Sequence, residues 1–178
     1  MKKNVGKNIL LLMMMILLFA CKQNDKNERA GNQEETKESL IKMNQILIEK
    51  DRQSIEAYVK RKELKMNMSE SGLWIAILNK GNGEKAQRGK IAKINYKISL
   101  IDGTICYDSD NNGPKTFIIG SGGVEKGLEE GILLLREGDK ARFIMPPYLA
   151  HGILGDDNRI PSRAIIIYDV ELLDVYKY

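Results

Sequence analysis

The chain has 178 residues, a length that accommodates one domain with its own core and additional appendages. It carries 28 Lys and Arg against 24 Asp and Glu, and three of those lysines lie in the first 20 residues, so that 28 − 3 = 25 basic and 24 acidic residues remain from Cys21 onward. This near balance argues against nucleic-acid binding, and two cysteines with a single histidine argue against a transition-metal site.

The first 20 residues have the pattern of a signal peptide. A basic start is followed by an uncharged apolar run over residues 9–20. Twelve residues are too few for a membrane-spanning helix, which needs about 20, and suit the apolar region of a signal peptide. The run ends in Leu18-Phe19-Ala20-Cys21, which resembles the lipobox of bacterial lipoproteins. That resemblance implies cleavage before Cys21 and lipidation of its thiol, while an ordinary secretory signal or an uncleaved anchor are the alternatives.

Residues 21–38 are expected to form a flexible tether, because they are polar and contain no large apolar side chain that could be buried. An arm over residues 39–68 follows, predicted as one long helix or two short ones with a polar gap at residues 49–54. Its apolar residues recur at helical spacing: Leu40, Ile41, Met43, Leu47, Ile48 and Ile55. Packing of the arm on its own domain is favoured, and a dimerisation arm is the alternative.

Residues 69–178 are expected to fold as an α+β domain. Alternating apolar residues predict strands over about 73–78, 92–100, 104–107, 141–145 and 164–175. Asp102-Gly103 suits a hairpin turn, and apolar residues from Val124 to Leu135 recur at helical spacing. About five strands and one short helix indicate an antiparallel sheet with a helix on one face.

A series of segments within residues 89–174 recurs in a characteristic order and spacing. They are Tyr96 with Asp102-Gly103, Tyr107-Asp108-Ser109, Phe117-Ile118-Ile119-Gly120, Val124 to Gly131, Glu137 to Ala141, Pro147 to Gly152, Ile160-Pro161, and Tyr168 to Leu173. This series resembles the FKBP-type peptidyl-prolyl cis–trans isomerases. The resemblance implies an FKBP-like twisted antiparallel sheet wrapped on one short helix, preceded by the helical arm, and a reaction that needs no cofactor or metal. The lipoprotein leader and arm also resemble exported bacterial members, including those associated with gliding motility.

The same resemblance implies a pocket for the proline ring and the rotating amide. Six positions are implied to be catalytic: Tyr96, Tyr107, Asp108, Leu128, His151 and Tyr168. Three more are implied to bind the substrate: Val124, Glu125 and Ile160.

Four positions depart from the family's best-known pattern. Leu128 stands in place of the tryptophan at the pocket floor, and His151 in place of the tyrosine that binds the substrate carbonyl. Glu125 replaces an isoleucine whose backbone N–H faces the substrate, and Lys115 stands where a wall aromatic is common.

The resemblance implies a peptidyl-prolyl cis–trans isomerase that assists the folding of exported or envelope proteins by binding the twisted amide in an apolar pocket. The alternative is a low-activity binding module that acts as a chaperone or as part of a surface (motility) assembly. The expected partners are proline-containing polypeptides, a membrane through the lipid anchor, and a second copy through the arm, with no nucleic acid. The expected location is the cell envelope, at the outer membrane and facing the periplasm.

Overall fold

A computed structural model describes residues 36–177. The predicted signal peptide, Cys21 and most of the tether lie outside the described residues. Within residues 36–177 no helix is both long and apolar enough to span a membrane. The described residues divide between Leu47 and Ile48 into two compact units.

Helix α1 spans residues 36–61 without a break. Within this helix the guanidinium of Arg52 donates hydrogen bonds to both carboxylate oxygens of Glu49, at 2.6 and 2.8 Å, and also pairs with Glu56. These pairs are three and four residues apart, where side chains of a helix are neighbours. The polar stretch over residues 49–54 is therefore an exposed, ion-paired part of one helix and does not separate two helices.

Seven antiparallel strands form one sheet in the order β1-β2-β6-β7-β3-β4, with β5 also paired to β3. The strands are β1 Asn67–Met68, β2 Trp74–Asn79, β3 Lys90–Leu100, β4 Ile105–Asp108, β5 Lys115–Ile118, β6 Lys140–Met145 and β7 Ile166–Lys177. The expected fold class is confirmed. The strand count exceeds the predicted five because β1 and β5 have two and four residues, too few to show alternation on their own. The equally short β4 is predicted because the Asp102-Gly103 turn precedes it.

Helix α3, Lys126–Ile132, lies against the sheet and is shorter than the three turns expected from the sequence. Two glycines allow its close approach. A Cβ at Gly131 would lie 2.6 Å from the ring of Phe143, and one at Gly127 would lie 2.8 Å from Met145 Sδ. A further short helix, α2 Ser109–Asn112, follows β4, and a 3-10 turn spans Pro147–Leu149.

The main core fills the space between α3 and the inner face of the sheet. Its fully buried members include residues from α3 and from the three central strands: Leu128, Ile132, Ile94, Phe143, Tyr168 and Leu172. Because each strand alternates, the residues that flank these positions point to the opposite face.

That opposite face is covered by the second part of α1. Ile55 is 1% exposed and packs with Ile144 and Ile167 in a separate apolar cluster. Arg163 Nη2 donates to Asp51 Oδ2 at 2.7 Å and fastens the same part of the helix. Residues 48–61 therefore contribute to the buried surface of the unit that contains the sheet.

Truncating Ile55 tests this contribution. Ile55→Ala is expected to lower the free energy of unfolding by about 2–5 kcal/mol, because it removes a buried side chain and leaves a cavity. Urea unfolding followed by circular dichroism measures it. The control Ile153→Ala alters a side chain that is 69% exposed and is expected to change stability by about 0.5 kcal/mol or less. Equal effects of the two substitutions would show that α1 does not stabilise the sheet.

Candidate active site

Four strands bring side chains to one cleft. Tyr96 and Ile98 come from β3, and Tyr107 of β4 and Tyr168 of β7 both pair with Ile98. Lys115 of β5 pairs with Ile94, two residues before Tyr96 on the same face. The cleft has a volume of about 210 Å³ and is lined by residues from these strands and the neighbouring loops: Tyr96, Ile98, Tyr107, Lys115, Glu125 and His151. A second cavity of about 390 Å³ shares Lys115, Glu125 and His151 and adds Val124.

Two tyrosines form what we call the tyrosine wall: Tyr96 lines the cleft, and Tyr168 lies behind it. The ring centroids of Tyr96 and Tyr168 lie 5.9 Å apart with an interplanar angle of 42°. Tyr168 is fully buried, and this burial, with smaller effects from Glu125 and Tyr96, raises the pKa of its hydroxyl far above the ordinary value. The hydroxyl therefore stays protonated, and its oxygen accepts a hydrogen bond from Lys115 Nζ at 3.0 Å.

The ammonium of Lys115 lies against this tyrosine wall. Its Nζ is 5.2 Å from the ring centroid of Tyr96, within cation–π range. It is 5.6 Å from the centroid of Tyr168, where the hydrogen bond to the hydroxyl places it beside the edge of the ring. The sequence identifies Lys115 only as a departure from the family pattern and does not assign it to the site. In the structure Lys115 lines both cavities. Its place in the sequence, where the family has a wall aromatic, is the feature that could have identified it as a site residue.

Glu125 carries a carboxylate into the same cleft, although its side chain is only 8% exposed. Oε2 lies 3.8 Å from Lys115 Nζ, and Oε1 lies 3.3 Å from His151 Nε2. Both distances allow ion pairing, but neither Glu125 Oε2 nor His151 Nε2 has a hydrogen-bond partner among the described residues. A buried polar atom without a hydrogen-bond partner has lost its hydration without compensation. A polar group of a ligand could supply the missing hydrogen bond to either atom.

Asp156 holds Tyr107, another residue that lines the cleft, in place by a hydrogen bond. Tyr107 Oη donates to Asp156 Oδ2 at 2.5 Å, and the backbone N–H groups of Asn158 and Ile160 donate to Oδ1 at 3.0 and 2.7 Å. The hydrogen bond to Asp156 raises the pKa of Tyr107. Burial acts to raise the pKa of Asp156, but the three hydrogen bonds outweigh it and the net shift is downward. Arg159 lies over the Tyr107 ring at 5.4 Å.

Five of the nine predicted site residues line the two cavities: Tyr96, Tyr107, Val124, Glu125 and His151. The other four do not. Leu128 and Ile160 belong to the core beneath the cleft, and Tyr168 lies behind Lys115. Asp108 is half-buried, and its carboxylate caps α2 by accepting a hydrogen bond from the backbone N–H of Asn111 at 2.8 Å.

Sequence reasoning missed Asp156 and Arg159, because each acts on Tyr107 from about fifty positions away in the chain, a distance that no local motif spans. Cys21, the predicted lipidation site, lies outside the described residues.

The groups in the cleft are suited to binding and orientation. The lining residues offer aromatic faces, one ammonium, one carboxylate and one imidazole, and they include no serine, threonine or cysteine that could act as a nucleophile. Among residues 36–177 no group of three or more His, Cys, Asp or Glu could hold a metal ion.

Known proteins with related sequences share this domain. The family model described as FKBP-type peptidyl-prolyl cis-trans isomerase matches residues 82–173. The chain is 38% identical over 108 residues to the FK506-binding protein of Neisseria meningitidis serogroup B, an alignment that covers 60% of this chain and 98% of that protein. It is 37% identical over 92 residues to the human peptidyl-prolyl cis-trans isomerase FKBP9, covering 51% of this chain and 16% of that longer protein.

The fold is shared with a solved structure as well. The crystal structure of FkpA from Escherichia coli matches with a TM-score of 0.63 and 33% sequence identity, and the match covers 75% of this chain and 64% of that chain.

Proposed function

The chain belongs to the FKBP-type peptidyl-prolyl cis-trans isomerase family, and from this premise we propose that it accelerates X–Pro isomerisation in exported or envelope polypeptides. The observation that carries the proposal is the tyrosine wall formed by Tyr96 and Tyr168 beside the donors of Lys115 and His151. Aromatic faces suit the proline ring, and neighbouring donors suit the carbonyl of the rotating amide.

Catalysis of this reaction requires selective binding of a twisted amide. Rotation about the C–N bond breaks amide resonance and has a barrier of about 18–20 kcal/mol. Uncatalysed X–Pro bonds therefore interconvert over tens to hundreds of seconds. A site that binds the twisted form more tightly than the planar form lowers this barrier without any covalent step.

The proposed roles follow the position of each residue around the cleft. Tyr96, Tyr107 and Tyr168 hold the proline ring, and His151 donates to the substrate carbonyl. Val124 and the backbone N–H of Glu125 contact the peptide. Leu128 supports the cleft from below as its floor, Ile160 fixes the loop that closes it, and Asp108 holds α2 beside β4.

A second candidate function is a binding module of low activity that acts as a chaperone or as part of a surface assembly. The observation that favours it is the ammonium of Lys115, which lies over the face of Tyr96 that a proline ring needs. The smaller Leu128 in place of a tryptophan acts in the same direction, because it offers less area to a bound ring.

An isomerisation assay on residues 22–178 with a series of proline peptides separates the two functions. We expect turnover, and we expect Tyr96→Leu to lower kcat/KM by about tenfold, the equivalent of ~1.4 kcal/mol of lost transition-state binding. The control Tyr176→Leu alters an exposed tyrosine on β7 and is expected to retain wild-type turnover. Absence of turnover on every peptide would support the binding module.

The proposed organisation is a signal peptide over residues 1–20, a tether over 21–38, the arm over 39–68 and the isomerase domain over 69–178. We propose that Cys21 carries the lipid anchor that holds the protein at the envelope, at the outer membrane and facing the periplasm. Each acyl methylene that enters the bilayer contributes about 0.8 kcal/mol, so several chains together give stable attachment.

Replacing the anchoring thiol tests this location. Cys21→Ser is expected to move the protein from the membrane fraction to the soluble fraction, as measured by fractionation and immunoblotting. Cys106→Ser is the matched control, since Cys106 is a buried free thiol of the folded domain, and it is expected to remain with the membranes. A Cys21→Ser protein that stays as firmly membrane-bound as wild type would contradict lipidation.

We also propose that the arm mediates a homodimer. Four apolar side chains on residues 36–47 are between 49% and 60% exposed: Leu40, Ile41, Met43 and Ile46. Apolar surface of this kind is stabilised by burial against a second copy.

Light scattering coupled to gel filtration tests the dimer. The wild-type chain from residue 22 is expected to have twice the mass of one chain, and the pair Met43→Glu and Ile46→Glu is expected to give the mass of one chain. The control Ile153→Glu changes an exposed isoleucine outside the arm and is expected to stay dimeric. A wild-type protein with the mass of a single chain would contradict the proposal.

A further inference from the structure

In the free protein a cation covers the exposed side of the tyrosine wall. Lys115 Nζ lies 5.2 Å from the ring centroid of Tyr96 and donates to the Tyr168 hydroxyl at 3.0 Å, beside the edge of that ring. A proline ring that packs on Tyr96 needs the same face. The ammonium must therefore leave it, and its side chain can do so because a lysine stem is flexible and this one is 29% exposed.

On leaving Tyr96, the ammonium gives up one aromatic face and the oxygen of Tyr168. Water and Glu125 Oε2, which is 3.8 Å away, remain as its partners. A carboxylate carried in by the substrate adds a direct ion pair with the ammonium, which a neutral side chain of the same shape does not supply.

The charges that a substrate meets at the cleft also favour an acidic group. The carboxylate of Glu125 is 8% exposed, and that of Asp156 is occupied by three hydrogen bonds, from Tyr107 and from two backbone N–H groups. The two cations, Lys115 and Arg159, are more accessible. The cleft thus offers two accessible cations to an acidic group, although the carboxylates of Glu125 and Asp156 lie beside them.

We propose that the cleft selects X–Pro segments in which X is Asp or Glu, and that the substrate carboxylate binds the ammonium of Lys115 as the proline ring displaces it. This inference rests on the proposed isomerase function, which places the carbonyl of residue X at His151. His151 Nε2 and Lys115 Nζ lie 3.3 and 3.8 Å from the two carboxylate oxygens of Glu125, so these two side chains are neighbours in the cleft. A residue X whose carbonyl binds His151 therefore has its side chain within reach of Lys115.

Matched peptides that differ only at X test the selection. Glu and Gln before proline have nearly the same shape and differ in charge, so the ratio of their kcat/KM values isolates the electrostatic contribution. For the wild-type chain from residue 22 at low salt, the Glu peptide is expected to exceed the Gln peptide by about tenfold. The ratio is expected to fall at high salt, because added ions screen partly exposed charges.

Two substitutions at Lys115 test whether its charge causes the difference between the Glu and Gln peptides. Lys115→Met keeps an unbranched stem without the charge and is expected to bring the Glu-to-Gln ratio to about one, whatever the absolute rate. Lys115→Arg keeps the charge and is expected to preserve the ratio. A wild-type ratio near one, or a ratio that Lys115→Met leaves unchanged, would overturn the proposal.

Failure of the proposed function gives a different result. If no peptide is turned over, the dissociation constants of the same Glu and Gln peptides are measured by isothermal titration calorimetry. Tighter binding of the Glu peptide that is lost in Lys115→Met would show that the selection operates in a binding module. Equal binding of the two peptides would overturn the selection itself.

Discussion

The register of β3 is the constraint on which the candidate site depends. This strand pairs with β7 along its whole length, from Lys90 opposite Lys177 to Leu100 opposite Ile166, and its other edge pairs with β4 and β5. Each partner strand contributes one cleft residue to the face that carries Tyr96. A slip of one residue would turn such a side chain to the opposite face, so the site exists only in one register.

Two buried acids illustrate the difference between structural and functional polar groups. Asp139 is 4% exposed, and its two carboxylate oxygens accept hydrogen bonds from the backbone N–H groups of Gly81 and Arg136 at 2.6 and 2.7 Å. It stabilises the turn before β6 and is satisfied within the protein. Glu125 is comparably buried but has an oxygen without a hydrogen-bond partner, and it faces the cleft. Such incomplete pairing costs stability and is characteristic of groups that serve a ligand.

Much of the fold could be predicted from the sequence because it is encoded in local periodicity. The alternation in β3 and the helical spacing of Leu128 and Ile132 each repeat over enough residues to identify an element. The four-residue β5 is too short to show alternation. The apolar pattern of α1 is interrupted where Arg52 pairs with Glu49 and Glu56, so the pattern alone does not decide between one helix and two.

The charged and hydrogen-bonded side chains of the cleft could not be predicted in the same way. Motif positions identified Tyr96, Tyr107 and His151, but they implied an apolar pocket. Lys115 acquires its role through Tyr168, 53 residues away, and Tyr107 is oriented by Asp156, 49 residues away. These contacts arise from strand pairing and loop closure, so only the folded chain brings them together.

Lys115 lies against Tyr96 and Tyr168 in the free protein, and the proposed selection requires it to yield this place to proline. The ¹³C–¹H resonance of its ε-methylene group, assigned by its loss in Lys115→Met, reports this position directly. We expect the resonance to be displaced upfield by the Tyr96 ring in the free protein and to move toward the ordinary lysine value as a Glu-Pro peptide saturates the cleft. A resonance at the ordinary lysine position in the free protein, or one unaffected by saturating peptide, would contradict the account.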